Sequence, residues 1–412
     1  HTIIVQYMNG RAFWRASQGR RCRGLKREVP MIYFDNAATG GHKPDAVVRA
    51  VRASIEGPCG NPGRSGHALS VALAENVLRC RRLLCDFLGG ESCERVILTK
   101  NCTEALNIAL FGLLRPPQGP PASPPHVVST AAEHNAVLRP LLFLERNGYI
   151  RLTLVQPQEG RISPAAIAAA AETDTVAAVF TLASNVTGAA IDPAAVRALL
   201  PGHILTVCDG AQACGHSAVH MKENGIDALA VAGHKGMHGI QGSGALLLSE
   251  RIQLFPYAYG GTGTDSAAPD MPSFYPERLE AGTLSFPAAA SLAEGVLYLL
   301  PRRAAIAARL HELTGMLLEG LRAVRGLRVY SEPNPFGIAA FGCDALSSEL
   351  FAQRLSDEYD IAVRGGLHCA PRIHAALGTL QAGLVRASLS EFNTEREVSE
   401  FLRAVRAIAA AP

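Results

Sequence analysis

Apolar residues in this chain fall into short runs separated by stretches in which they recur every three or four positions. The runs Val96 to Thr99, His126 to Thr130, Leu152 to Val155, Val176 to Leu182, Ile204 to Cys208, Ala228 to Ala232 and Ala245 to Ser249 predict strands. Most are continuously apolar rather than alternating, as strands buried on both faces are. Ala-, Leu- and Arg-rich stretches such as Ser70 to Leu88 and Pro164 to Thr173 predict the helices between them. Strands alternating with helices predict an α/β fold with a mostly parallel sheet covered on both faces. From about Leu299 the pattern changes to a long helix, Arg303 to Val324, and then short strands and helices. The expected organisation is therefore an N-terminal segment (31–46) packing with a small domain, a large domain (47–298) and a smaller C-terminal α+β domain (299–412). Pro116 to Pro125 reads as a surface loop, and Gly260 to Gly263 as a glycine-rich segment ahead of a loop at Pro269 to Pro276.

Charge changes the picture at one end. Of the 412 residues 39 are basic and 36 acidic, a net charge of +3. Residues 1–30 hold Arg11, Arg15, Arg20, Arg21, Arg23, Lys26 and Arg27 against Glu28 alone, so the rest of the chain is net negative. That gives no basic face for nucleic acid. Residues 1–30 read as a tag or upstream extension ahead of a start at Met31, with an Arg-rich transit peptide as the alternative. No apolar run approaches the ~18 residues of a membrane span. The ten cysteines are scattered with no Cys-x-x-Cys pair. In a chain of this size that favours a reducing, cytoplasmic setting over a disulfide framework or a metal site.

Candidate chemistry lies after the strands, because ligands of open α/β sheets bind beyond the carboxyl ends. Asn101-Cys102-Thr103-Glu104 follows the first predicted strand and opens a helix, where free N–H groups suit a phosphate. Glu133-His134-Asn135, Ser184-Asn185-Val186-Thr187-Gly188, Asp209-Gly210-Ala211-Gln212 and Gly233-His234-Lys235-Gly236 follow four others. Each segment alone reads as caps and turns. Together they supply an anion site, a flat ring, a carboxylate and an amine, the four things pyridoxal phosphate needs. Only five lysines exist: Lys26, Lys43, Lys100, Lys222 and Lys235. Lys26 lies in the extension, Lys43 in an early loop and Lys222 in a polar turn. Lys100 and Lys235 follow strands, and the glycine-flanked Lys235 beside an apolar strand is favoured as the Schiff-base lysine.

Several segments together resemble a known family. They are Tyr33 to Thr39, Asn61 to His67, Thr103 to Asn107, Glu133-His134, Ser184 to Gly188, Asp209 to Gln212, Gly233 to Lys235 and Leu279 to Thr283. As an ordered set they resemble the class V aminotransferase superfamily of fold-type I pyridoxal-phosphate enzymes, and within it the cysteine desulfurases and selenocysteine lyases. The resemblance runs from Met31 to about Arg403. It implies a seven-stranded large domain, a homodimer with active sites at the subunit interface, and pyridoxal 5'-phosphate bound through Lys235. It further implies that Asp209 pairs with the ring nitrogen, His134 stacks on the ring, and Asn185 and Gln212 contact the ring hydroxyl. Thr103 and His234 would hold the phosphate, with Thr262 or Thr264 reaching it from a neighbouring subunit. Arg386 would grip the substrate carboxylate, with Asn36, Ala37 and Arg364 lining the substrate.

Cys369 sets the expected reaction. Cys80, Cys85, Cys208 and Cys343 read as small buried hydrophobes. Cys369 follows a glycine pair, adjoins His368 and lies near Arg364 and Arg372 in sequence, surroundings that favour a thiolate. Arg364-Gly365-Gly366-Leu367-His368-Cys369-Ala370 resembles the short active-site loop of group II (Suf-type) desulfurases. The resemblance implies that Lys235 acts as general base and that Cys369 attacks the sulfur of L-cysteine or L-selenocysteine. For cysteine the products would be alanine and a Cys369 persulfide, whose sulfur passes to an acceptor thiol protein. Competing readings are an aminotransferase, lyase or epimerase with a structural Cys369, and a non-catalytic accessory protein. Three positions depart from the family pattern: Ala232 stands where Ser or Thr is common, Leu367 where a second His is, and Ser285 where Asn is.

Overall fold

A computed structural model describes residues 31–57 and 59–411; the expectation for residues 1–30 lies outside the described residues. In chain order the elements begin with β1 (Ile32–Tyr33), α1 (Asp45–Glu56), α2 (Ala68–Leu88), β2 (Val96–Thr99), α3 (Cys102–Leu114), β3 (His126–Thr130) and α4 (Asn135–Arg146). They continue with β4 (Arg151–Val155), α5 (Pro164–Ala169), β5 (Thr175–Thr181), α6 (Pro193–Leu199), β6 (Leu205–Asp209), α7 (Met221–Asn224), β7 (Ala228–Ala232), β8 (Gly244–Leu248) and α8 (Phe286–Leu299). The last part holds α9 (Arg303–Arg322), β9 (Leu327–Val329), β10 (Ile338–Cys343), α10 (Ser348–Tyr359), β11 (Ile361–Ala362), β12 (Arg364–Gly366), α11 (Pro371–Leu377), β13 (Leu384–Ser388) and α12 (Glu395–Ala410).

Seven strands form one sheet in the order β2-β8-β7-β6-β5-β3-β4. All run parallel except β8, which is antiparallel to both β2 and β7. This is the mostly parallel seven-stranded sheet expected from the sequence, and each strand lies within one residue of its expected limits. β7 and β8 are buried along their whole length, which is why their sequences read as unbroken apolar runs; β3 is equally buried but carries His126, Ser129 and Thr130. The helix expected over Pro164 to Thr173 is shorter, because the chain turns at Ala170 to enter β5. Ile97, Leu106, Leu110, Val127, Val207 and Leu246 belong to one core between this sheet and α3. Among the described residues, no helix is long and apolar enough to cross a membrane.

A second sheet, β12-β13-β10-β9, is antiparallel at every pairing. Residues just after β1 join its edge. Ser388 N–H donates to Phe34 O at 2.6 Å, and Phe34 N–H donates to Ala362 O at 2.8 Å. The Phe34 ring packs on Phe401 of α12 with centroids 5.5 Å apart.

Helix starts explain several polar residues of the sequence motifs. Asn101 caps α3 by accepting from Glu104 N–H at 2.8 Å. Ser285 caps α8 by accepting from Ala288 N–H, so the departure at that position has a local structural role. Glu280, from the Leu279 to Thr283 motif, is buried against Arg81 of α2. The two make paired contacts of 2.7 and 2.6 Å, with side chains only 6% and 7% exposed. Glu280 Oε1 also accepts from Leu98 N–H at 2.6 Å, so one carboxylate ties α2, β2 and the loop before α8 together.

Removing one member of a buried pair strands the other charge, at a cost of roughly 3–5 kcal/mol. Glu280→Ala should therefore lose stability on that scale in urea unfolding. Replacing both residues with leucine should lose much less.

Candidate active site

The carboxyl ends of β2, β3, β5, β6 and β7 lie along one edge of the parallel sheet, and each delivers a polar segment there. β8 starts at the same edge. A Cβ on its first residue, Gly244, would stand 2.8 Å from Thr99 Oγ1 and 2.9 Å from the Asn101 backbone. That glycine lets the start of α3 press against the sheet edge. Asn101 covers Glu104 N–H, leaving the N–H groups of Cys102 and Thr103 to hold an anion, with the exposed Thr103 in the same first turn.

Lys235 lies three residues beyond β7, in a turn closed by His238 N–H donating to Lys235 O at 3.0 Å. Among the described residues, its amine has no hydrogen-bond or ion-pair partner. Burial lowers its pKa, opposed by the nearby Asp209 carboxylate and reinforced by Arg386 and Arg364. An amine held toward its neutral form is what a nucleophile or base needs. Lys100, the alternative, is exposed and paired with Glu104 at 3.2 Å. Asp209 ends β6, buried, with Oδ1 accepting from Ala211 N–H at 2.9 Å and from the Cys102 thiol at 3.4 Å. His234 is pushed down to about 4, first by burial and then by Lys235 and Lys43; its Nδ1 lies 3.0 Å from Thr39 Oγ1.

Among the described residues, Arg386 is the most deeply buried arginine or lysine. Its Nη1 donates to Asn185 O at 2.9 Å and its Nη2 to Asp35 Oδ1 at 3.0 Å, while its Nε has no partner. In the β12–β13 pairing Arg386 stands directly opposite Arg364. Like charges facing across a pair repel. An anion between them would relieve that repulsion and satisfy the orphan Nε.

Cys369 sits where these parts meet. Its thiol is lowered to about 7, chiefly by a hydrogen bond from His134 and further by Arg364, whose Nη2 is 3.7 Å from the sulfur, against the opposing effect of burial. His134 caps α4, accepting from Ala136 N–H through Nδ1 at 3.0 Å. His368 and Cys369 both have left-handed backbones, φ 51° and 58°, which L-residues rarely adopt. Two bonds hold the strained pair: Asn185 Nδ2 donates to His368 O at 2.7 Å, and Asn135 N–H to Cys369 O at 2.7 Å. His368 Nε2 donates to Leu384 O at 3.0 Å, and burial between two arginines drives its pKa down to about 2, so the ring is neutral. Thr103, His134 and Cys369 line one cleft with Asn107 and Arg139.

Other expected residues are placed differently. Asn36 spends its side chain on backbone, donating to Ser388 O at 3.0 Å and accepting from Gly41 N–H at 3.0 Å. Ala37 and Gln212 meet, Gln212 Nε2 donating to Ala37 O at 3.1 Å. Thr264 lies beside Arg64 and Glu277 with its hydroxyl 3.2 Å from that of Thr262, in a different cavity from Thr103. Ala232 is the buried last residue of β7, and Leu367 contributes its carbonyl to Ala370 N–H at 2.9 Å. Cys343, expected to be buried, is half-buried at the end of β10.

Three further residues gain a place only in the fold. Lys43 follows the N-terminal segment in a loop, and its Nζ donates to His234 O at 2.9 Å, with burial lowering its pKa to about 8. Glu133 precedes His134. It is fully buried, accepts from Thr130 Oγ1 at 2.6 Å and Thr181 N–H at 3.1 Å, and is pushed up to about 8 by burial. Cys102 carries the thiol that reaches Asp209. Their signal was only position beside a motif, and contacts across the sheet edge decide the rest.

A thiol is nucleophilic as thiolate, so its alkylation rate rises as pH climbs through its pKa. Peptide mass spectrometry after iodoacetamide should place the Cys369 midpoint near 7, with Cys80 and Cys85, raised by burial to about 12 and 11, protected. His134→Ala should raise that midpoint by roughly one unit.

Comparison with known proteins agrees with this architecture. A probable cysteine desulfurase of Methanothermobacter thermautotrophicus is 30% identical over 393 residues, covering 92% of this chain and 96% of that protein. A probable cysteine desulfurase of Halobacterium salinarum is 30% identical over 398 residues, covering 92% and 93%. The apo structure of a cysteine desulfurase from Thermococcus onnurineus superposes with a TM-score of 0.84 at 28% identity, covering 93% of this chain and 95% of that one. An Escherichia coli cysteine desulfurase structure gives 0.82 at 25% identity, covering 92% and 95%. The family model described as aminotransferase class-V matches residues 32–401, and the chain belongs to that family.

Proposed function

We propose that this protein is a pyridoxal-phosphate-dependent cysteine desulfurase that converts L-cysteine to L-alanine and leaves the sulfur as a persulfide on Cys369. The observation that carries this reading is a thiol lowered to about 7, on a loop anchored to Asn185, at the same sheet edge as the unpartnered Lys235 amine. The donor set fits the cofactor. Thr103 and the first N–H groups of α3 suit its phosphate, Asp209 its ring nitrogen, His134 its ring face and Lys235 its aldehyde. When bound, that group supplies an electron sink for the bonds around the substrate Cα.

The protein's own groups do the rest. Arg386 and Arg364 take the substrate carboxylate, using the Nε that is otherwise buried without a partner. Lys235, held toward its neutral form by burial, removes the Cα proton and later returns one to carbon. His134 and Arg364 keep Cys369 as thiolate near neutral pH. The thiolate attacks the substrate sulfur, so an S–S bond forms as the Cβ–S bond breaks. Sulfur is oxidised to the persulfide level while Cβ is reduced to the methyl of alanine. An acceptor thiol then takes the outer sulfur by exchange. In this reading Thr264 serves the phosphate of a second copy in a homodimer, since within one chain it lies away from Thr103. The free thiols of the described cysteines support work in a reducing compartment such as the cytoplasm.

With cofactor and L-cysteine the protein should release alanine and, in the presence of a thiol, an equal amount of sulfide. Cys369→Ala should cut cysteine turnover at least ~100-fold while keeping the visible cofactor band. Lys235→Ala should lose both turnover and the borohydride-trapped cofactor. Cysteine turnover unchanged in Cys369→Ala sinks the persulfide reading. A parallel assay with selenocysteine separates a desulfurase from a selenocysteine lyase.

A further inference from the structure

Directly behind the Lys235 turn lies a buried histidine–glutamate pair that none of the steps above uses. His238, which closes that turn, places Nε2 2.9 Å from Glu391 Oε1, with side chains 4% and 9% exposed. Glu391 follows β13 by three residues, so the pair joins the turn that carries Lys235 to the strand that carries Arg386. The His238 ring is clamped edge-on by Tyr298 of α8, centroids 5.1 Å apart, and by Phe392, 5.9 Å apart. The Tyr298 phenol is pushed up by burial and by the Glu391 carboxylate, and the Glu391 carboxyl is held below its usual range by His238 despite its burial. The remaining charged and titratable neighbours are Lys43 and His216, both of which feel the Glu391 carboxylate, and Arg302 over the Tyr298 ring at 4.8 Å. Lys43 in turn bonds the carbonyl of His234, next to Lys235.

The arrangement is a poor device for stability alone. A buried ion pair gains little over apolar packing once desolvation is counted. His238 adds a left-handed backbone, φ 57°, and the 2.9 Å approach leaves both of its ring nitrogens and both Glu391 oxygens without an aligned hydrogen bond. What the pair does supply is a fixed distance between two active-site segments that belong to different sheets. The turn has little other freedom: a Cβ on Gly236 would meet Cys214 O at 2.8 Å, and α8 presses on Met237 O from the other side.

We propose that His238 and Glu391 are positioning residues, a clamp that sets the Lys235 amine against the substrate carboxylate held by Arg386. The proposal rests on the role given to Lys235 above and adds the means of its alignment. Misalignment of about 1 Å can cost as much as 100-fold in rate.

The test uses Glu391→Gln, which keeps shape and an acceptor, and His238→Gly, which relieves the left-handed backbone while removing the ring. The kcat per bound cofactor should fall about 10-fold in each, with KM for cysteine nearly unchanged. The double variant should lose no more than the worse single one. The isotope effect with Cα-deuterated cysteine should rise, because proton removal becomes slower. In the cofactor-free protein, the midpoint of Lys235 acylation against pH, read by peptide mass spectrometry with Lys222 as reference, should rise in His238→Gly, because a loosened turn relieves the burial that lowers the Lys235 pKa. Lower melting temperatures with unchanged kcat, isotope effect and acylation midpoint would overturn the clamp and leave a packing role. If wild-type protein turns over no cysteine, the proposed function fails, and the acylation midpoint of His238→Gly still decides the clamp.

Discussion

The site depends on one buried guanidinium. Arg386 reaches Asp35 near the start of the described chain and the Asn185 carbonyl after β5, contacts that span 351 and 201 residues of sequence. A buried cation is tolerable only when its donors are met. Two sets of donors are met by protein, and these draw the smaller sheet, the N-terminal segment and the large sheet into one position. The third, Nε, has no protein partner, which is what the proposed carboxylate contact would use. Asn185 works on both sides of that junction, accepting from Arg386 with its carbonyl and donating to His368 with its amide.

The Cys369 loop shows how reactivity is held in place by strain. Two consecutive non-glycine residues in the left-handed region cost on the order of 1–3 kcal/mol each. Their carbonyls are bound to Asn185 and to the first N–H of α4, so the conformation is set by elements on either side. This geometry turns the thiol toward His134 and Arg364, and the lowered pKa follows from those neighbours more than from the cysteine itself.

Much of this was legible in the sequence because it is local. Strand periods, glycine punctuation and residues just after strand ends follow from the chain's own order, so the placement of Lys235, Asp209, His134 and Thr103 at one sheet edge could be read from it. What the sequence hid is contact across long separations. Lys43 looked like a loop residue because nothing near it in sequence indicates the His234 carbonyl. Asn36 resembled a substrate ligand, and only the fold reveals that Ser388 and Gly41 occupy its amide. The Arg81–Glu280 pair was silent too, since two charges 199 residues apart carry no pattern. Ser285, a departure without meaning in the sequence, became a helix cap once α8 was placed.

The single antiparallel strand has a consequence for assembly in time. Because β8 returns beside β7, the Lys235 turn lies within one local connection and needs only neighbouring strands to form. Short-range pairings of this kind form early, and N-terminal parts fold first as a chain is made. Cys369 and Arg386, by contrast, gain their positions only when their segments dock onto distant ones, at Asn135 and Asn185 for the Cys369 loop and at Asp35 and Asn185 for Arg386. The turn that holds Lys235 therefore depends on local pairing, while the loop that holds Cys369 depends on contacts between distant parts of the sequence.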